Sequence, residues 1–382
     1  MHRNSRFPQS VPSPSKRPRR LLWSALLFAL TPLLAGADPL LLMVHPEGVQ
    51  QARFHPDDRR ILTVGADNLL RIWDAGSGRS LALAQGHWEA VQAVAFSPDG
   101  HRFASAASDR TARVWNTADG TPVTTLVGHW SQVETLAFSP DGRELATGGR
   151  DGFIRLWPVS GRRARLVLAH EQFVTSVVFD AAGERLLSAS LDGTVRLWDA
   201  RDGRELARFE GHEDYVVRAI FSPDERHVAS AGGDGVVRLW ELATGRASAL
   251  RGHGHRIGAL TYSADGTRLL SASNDGTARL WDTRSGDPVA VLSHNTATVT
   301  QVLFRPDGRL LGSADNEGRV RLWDARGRPL ATLQHRGPVS DLDFSADGAR
   351  LLSAAGDGAV RIWSLPEDLA VDVAQASALS GD

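Results

Sequence analysis

Short apolar runs alternate with turn residues along almost the whole chain. In the unit that ends at Trp198 the runs cover 164–168, 173–179, 185–190 and 194–198. Runs of this length, rich in β-branched residues and bounded by Gly, Asp and Pro, predict strands rather than helices. The turns agree. Ser97-Pro98-Asp99-Gly100, Ser139-Pro140-Asp141-Gly142 and Arg305-Pro306-Asp307-Gly308 place Pro and Gly where a tight hairpin turn needs them, and Asp192-Gly193 marks the next hairpin.

The unit 186–199, LLSASLDGTVRLWD, recurs. Its tryptophan has seven counterparts, giving Trp73, Trp115, Trp157, Trp198, Trp240, Trp281, Trp323 and Trp363 at intervals of 42, 42, 41, 42, 41, 42 and 40 residues. A fixed period near forty marks a repeat architecture, so the chain should form one closed body despite its length. Gly-His pairs (Gly86-His87, Gly128-His129, Gly211-His212, Gly252-His253) and Trp-Asp pairs (Trp73-Asp74, Trp198-Asp199, Trp281-Asp282, Trp323-Asp324) recur in register. In these the chain resembles the WD-repeat β-propeller family over roughly residues 40–364. A four-stranded blade cannot cover both its faces alone, so blades must stack around a ring. After Trp363 no further strand follows, whereas 39–44, PLLLMV, precedes His45 as 121–127 precedes Gly128-His129. The expected fold is therefore an all-β, single closed eight-bladed propeller of four antiparallel strands per blade. The N-terminal strand should complete the last blade and so remove an exposed edge. It should span 38–364, with 365–382 a short helix on the last blade or a disordered tail.

Fixed offsets give one four-residue set per repeat. These are His45, Thr63, Asp67, Trp73; His87, Ser105, Asp109, Trp115; His129, Thr147, Asp151, Trp157; His170, Ser188, Asp192, Trp198; His212, Ser230, Asp234, Trp240; His253, Ser271, Asp275, Trp281; His294, Ser313, Glu317, Trp323; and His335, Ser353, Asp357, Trp363. The family resemblance implies a buried chain in each, indole to hydroxyl to imidazole to carboxylate, with every polar group partnered. Ser, His and Asp together invite a hydrolase reading. Eightfold repetition and a tryptophan tying up the hydroxyl favour a structural role instead. In the seventh unit Glu317 replaces Asp and the loop after His294 is one residue longer. The longer carboxylate should reach a displaced histidine, and this blade should be the least regular. His253-Gly254-His255 is read as a surface loop, with no metal or cofactor site expected.

Charge changes the picture at the N-terminus. Residues 1–37 hold six basic groups and no acidic one, leaving 37 basic against 44 acidic beyond them, a net charge of −7. That balance opposes nucleic-acid binding. The basic segment, the apolar run 21–34 and Ala35-Gly36-Ala37 together predict a signal peptide over 1–37. The mature protein would then be periplasmic or secreted, with no membrane insertion after cleavage; an uncleaved membrane anchor is the alternative. No cysteine is present and Lys16 is the only lysine, which removes thiol chemistry, disulfides and, beyond the leader, lysine catalysis.

What the repeat does not fix points to a partner. Only Trp88 and Trp130 lie outside both the repeat position and the leader. If each histidine bonds its carboxylate, Trp88 stands near Ser108 and Arg110, and Trp130 near Arg150, whose guanidinium is placed on the Trp130 ring. Phe173, Tyr215 and Arg256 continue the patch on the next blades. The reading is a monomeric, non-catalytic platform that binds one or more proteins through Trp88, Arg110, Trp130, Arg150, Phe173, Tyr215 and Arg256. A carbohydrate-binding propeller is the alternative. A quinoprotein-like dehydrogenase is less favoured, because Thr244-Gly245 is followed by no tryptophan. In the central channel, Gln51, Arg53, Ala93, Ala95, Arg218, Asp341 and Asp343 should point inward, with Arg53 and Asp343 as an ion pair at ring closure.

Overall fold

A computed structural model describes residues 39, 41–366 and 369. The proposed leader and most of the C-terminal tail lie outside the described residues. All regular structure among them is β: eight sheets of four antiparallel strands, with no helix. Blade one runs outward from the channel through Val49–Phe54, Arg60–Gly65, Leu70–Asp74 and Ser80–Ala84. The next six blades repeat this order. Blade eight takes three strands from Val339–Phe344, Arg350–Ala355 and Ala359–Ser364, and its outer strand is Leu41–Val44. The register runs from Leu41↔Ile362 to Val44↔Ala359. The ring is thus closed by the N-terminal strand, as the strand count requires.

The apolar alternation is buried between blades. Each tryptophan packs against the sheet of the preceding blade: Trp115 meets Leu62, Leu70 and Ile72 of blade one, and Trp157 meets Ala104, Val114 and Leu126 of blade two. Eight such clusters follow one another around the ring. The closing one joins Met43, Leu352, Val360 and Ile362 of blade eight to Val49, Phe54 and Ile61 of blade one. Leu365 and Leu369 extend the cluster between blades seven and eight.

Each innermost strand carries a bulge near its start, between Val133 and Thr135 in blade three and at the same place in the other seven. The residue after the bulge lines the channel. Because these strands pair on one side only, their other edge presents backbone groups to the channel.

Candidate functional site

All eight indole N–H groups donate to the hydroxyl of their own blade, at 2.7–2.9 Å. All eight hydroxyls lie 2.7–2.8 Å from Nε2 of the expected histidine. In blades two to six Nδ1–H donates to Asp109, Asp151, Asp192, Asp234 and Asp275 at 2.7–2.9 Å. Buried between an apolar wall and these partners, the imidazoles of His129, His170, His212 and His253 are held neutral, their pKa values pushed down first by loss of water.

Three sets depart from the expectation. In blade seven the extra residue displaces the loop, and Asp315 instead of Glu317 accepts Nδ1–H of His294, at 2.9 Å. Asp315 stands where the other blades have Gly, Ala or Ser, and it is fully buried. Glu317 points outward to Arg319. In blade one Asp67 is taken by Arg71 at 2.6 Å, and Arg71 also donates to Nδ1 of His45 at 2.9 Å. With Nδ1 an acceptor, Nε2–H must donate to Thr63, the reverse tautomer. In blade eight Asp357 is 3.5 Å from Nδ1 of His335, while Arg361 lies against that nitrogen. Both histidines flank the closure, and burial together with the adjacent guanidinium brings each down to about 4.

Arg71 and Arg361 belong to a fifth position that the four-residue sets omit. An arginine stands two residues before every repeat tryptophan: Arg71, Arg113, Arg155, Arg196, Arg238, Arg279, Arg321 and Arg361. Arg155, Arg196 and Arg238 pair with their blade's aspartate at 2.7–3.3 Å. In blade six this arginine crowds the residue before the histidine, where a Cβ on Gly252 would lie 2.6 Å from Nη1 of Arg279. The eightfold recurrence was the available signal.

The network also sets the surface above it. Backbone N–H groups of Trp88 and Trp130 donate to Asp109 and Asp151, at 3.4 and 3.2 Å, so the residue after each histidine does emerge beside the carboxylate. The rings themselves stand out: Trp88 is 61% exposed, Trp130 65% and Phe173 41%. Arg150 does not lie on Trp130. It pairs with Glu134 and its guanidinium sits 5.9 Å from the Phe173 ring. Trp130 is braced by two other residues, Phe153 edge-on at 4.9 Å and Arg155 at 5.8 Å. Phe153 escaped the sequence reading, although it replaces the threonine found at this place as Thr111, Thr194 and Thr277. Phe173, Tyr215 and Arg256 occupy one structural position on successive blades. Each carbonyl receives an N–H from the segment carrying the network aspartate, at 2.9–3.0 Å. Among the described residues no aromatic or cation–π contact joins Trp88, Arg110, Tyr215 or Arg256 to the Trp130 and Phe173 stacks.

In the channel Arg53 pairs with Asp341 instead of Asp343. Asp343 accepts the N–H of Phe54 at 2.8 Å, and burial raises its pKa to about 6.

Eight segments, residues 40–74, 78–116, 120–158, 162–199, 203–241, 246–282, 286–324 and 327–364, match the family model described as WD domain, G-beta repeat. Among solved structures, the crystal structure of the computationally designed Ika8 protein is similar at a TM-score of 0.77 and 26% identity, covering 86% of this chain and 100% of that one. No curated protein sequence matches.

Proposed function

Because the chain belongs to the WD40 family of WD-domain, G-beta repeats, we propose that it is a non-catalytic platform for one or more proteins, exported across the inner membrane and acting in the periplasm or outside the cell. The observation that carries the reading is the Trp130 ring, mostly open to solvent yet held from beneath by Arg155 and from the side by Phe153. Beside it, Arg150 covers Phe173. Aromatic rings fixed in place before binding lose little freedom on contact, and Trp and Arg supply much of the energy in protein interfaces. The hydroxyls of the eight networks, by contrast, are buried and hold the indoles, which suits scaffolding. Export is supported by the basic segment, apolar run and small-residue site of 1–37.

The test is crosslinking in intact cells, followed by identification of captured proteins for the wild type and for Trp88→Ala with Trp130→Ala. Loss of captured proteins from a variant that melts like the wild type supports the surface. An unchanged set overturns it. N-terminal sequencing of the mature protein tests export, with Asp38 the expected first residue.

A further inference from the structure

The two sides of the channel satisfy the N–H groups of their free strand edges differently. On blades eight, one and two the protein uses its own side chains. Asp341 accepts the N–H of Ala52 at 3.1 Å, Asp343 that of Phe54 at 2.8 Å, and Gln51 that of Val94 at 3.1 Å. On blades three to five, register puts Leu136, Val177 and Ala219 in the place of Val94, each opposite its blade's network hydroxyl. The neighbouring channel positions there hold Thr135, Ser176 and Arg218, with no carboxylate. Among the described residues the Arg218 guanidinium has no ion pair and no side-chain hydrogen bond, and two charges that act on it, Asp341 and Arg53, are already paired with each other. Beneath it lies a cavity of about 550 Å³ with a floor of Ala95, Ala137, Val178 and Ile220, reaching Pro98.

We propose that this half of the channel is a carboxylate-binding site. Arg218 takes the carboxylate, the edge N–H groups of Leu136 and Val177 share it, and the apolar floor holds a short aliphatic body. The protein's own filling of the opposite side shows what these edges accept, since two of its three fillers are carboxylates. Arg218 is exposed to the channel and unpaired, so its guanidinium is available for charge-assisted hydrogen bonds to an anion. The volume falls within the range of small-ligand pockets. The floor lies at the ends of the inner strands that lead into turns such as Ser97-Pro98-Asp99-Gly100, opposite the ends where Trp88 and Trp130 emerge. The site is therefore separate from the aromatic surface, and its failure would leave that reading untouched.

Ligand-observed NMR on the purified protein tests the site with hexanoate against hexanamide, and with the peptide Gly-Gly-Gly-Ala-Leu against its C-terminal amide. At least one carboxylate should bind while its neutral partner does not, and Arg218→Met should weaken it roughly tenfold or more. Binding of hexanoate alone assigns the site to small acids, and binding of the peptide alone assigns it to chain termini. Ala137→Phe keeps Arg218 but fills the cavity, and it should abolish binding even if the arginine variant folds poorly. Equal binding of acid and amide, undiminished binding by either folded variant, or no binding of either acid at millimolar concentration overturns the proposal.

Discussion

Asp315 accepts the Nδ1–H of His294 from a strand position that elsewhere in the ring holds a small residue, while Arg319 closes on the same carboxylate at 2.9 Å. Removing this carboxylate leaves a buried imidazole without its acceptor and Arg319 with Glu317 alone. Asp315→Ala should therefore destabilise by about 3 kcal/mol, and Glu317→Ala, at the surface, by no more than about 0.5 kcal/mol. Denaturant unfolding of the two variants checks the order. Equal losses would return Glu317 to the network.

The contrast shows where the sequence could be read. Trp, hydroxyl and His recur at offsets fixed by strand pairing, so a count of positions finds them. Asp315 broke the count because one inserted residue moved the loop, and the geometry was restored from a different strand position. Arg155 under Trp130 was hidden for another reason. Its repeat position was visible in all eight units, but which ring a long arginine covers depends on side-chain direction, and Phe153 decided that. The same holds for Arg53, whose choice of Asp341 over Asp343 depends on reach across the closure.

Acid should weaken the ring. His45 and His335 have folded values of about 4 against an ordinary value near 6.5. The unfolded chain then binds more protons between those limits, and stability falls as pH drops from about 6.5 through 4. Below that, Asp275, held down to about 2 chiefly by hydrogen bonds from Thr277 and Gly254 against the opposing effect of burial, continues the loss. Thermal melts should give a Tm flat from pH 8 to about 6.5 and declining steadily below. A Tm that is level to pH 4 contradicts the neutral imidazoles.

Asp343 carries the opposite sign. Its folded value of about 6 lies above the ordinary 3.8, so its contribution is fully present at low pH and is lost as pH rises through 6. Asp343→Asn keeps an acceptor for the Phe54 N–H without the charge. It should raise Tm by a few degrees at pH 7.5 and leave it unchanged at pH 4. An equal effect at both pH values would point to packing instead.

Trp130 and Trp157 share a blade but not a role. Trp157 is 1% exposed between two sheets, so Trp157→Ala should cost about 4 kcal/mol. Trp130→Ala loses only edge contacts and should cost about 1 kcal/mol. Paired unfolding curves separate them, and similar costs would make Trp130 a structural lid.

Met43 is 1% exposed, on the only outer strand that comes from the opposite end of the described chain. Met43→Asp should loosen that strand from Ala359–Ser364 and expose an edge, giving concentration-dependent oligomers in sedimentation velocity. A variant that stays monomeric with an unchanged Tm would show that the closure contributes little.

The pairing of Val44 with Ala359 also sets a timetable. Roughly 300 residues separate the partners, so at about 5–20 residues per second the first strand waits some 15–60 s of synthesis for its place. During that interval seven blades can form and stack in order, while the first strand and the last blade remain unsatisfied. Such a ring is most exposed to chaperones and to misassembly just before its last blade is made, and its first and last strands, remote in synthesis, are the last to be joined.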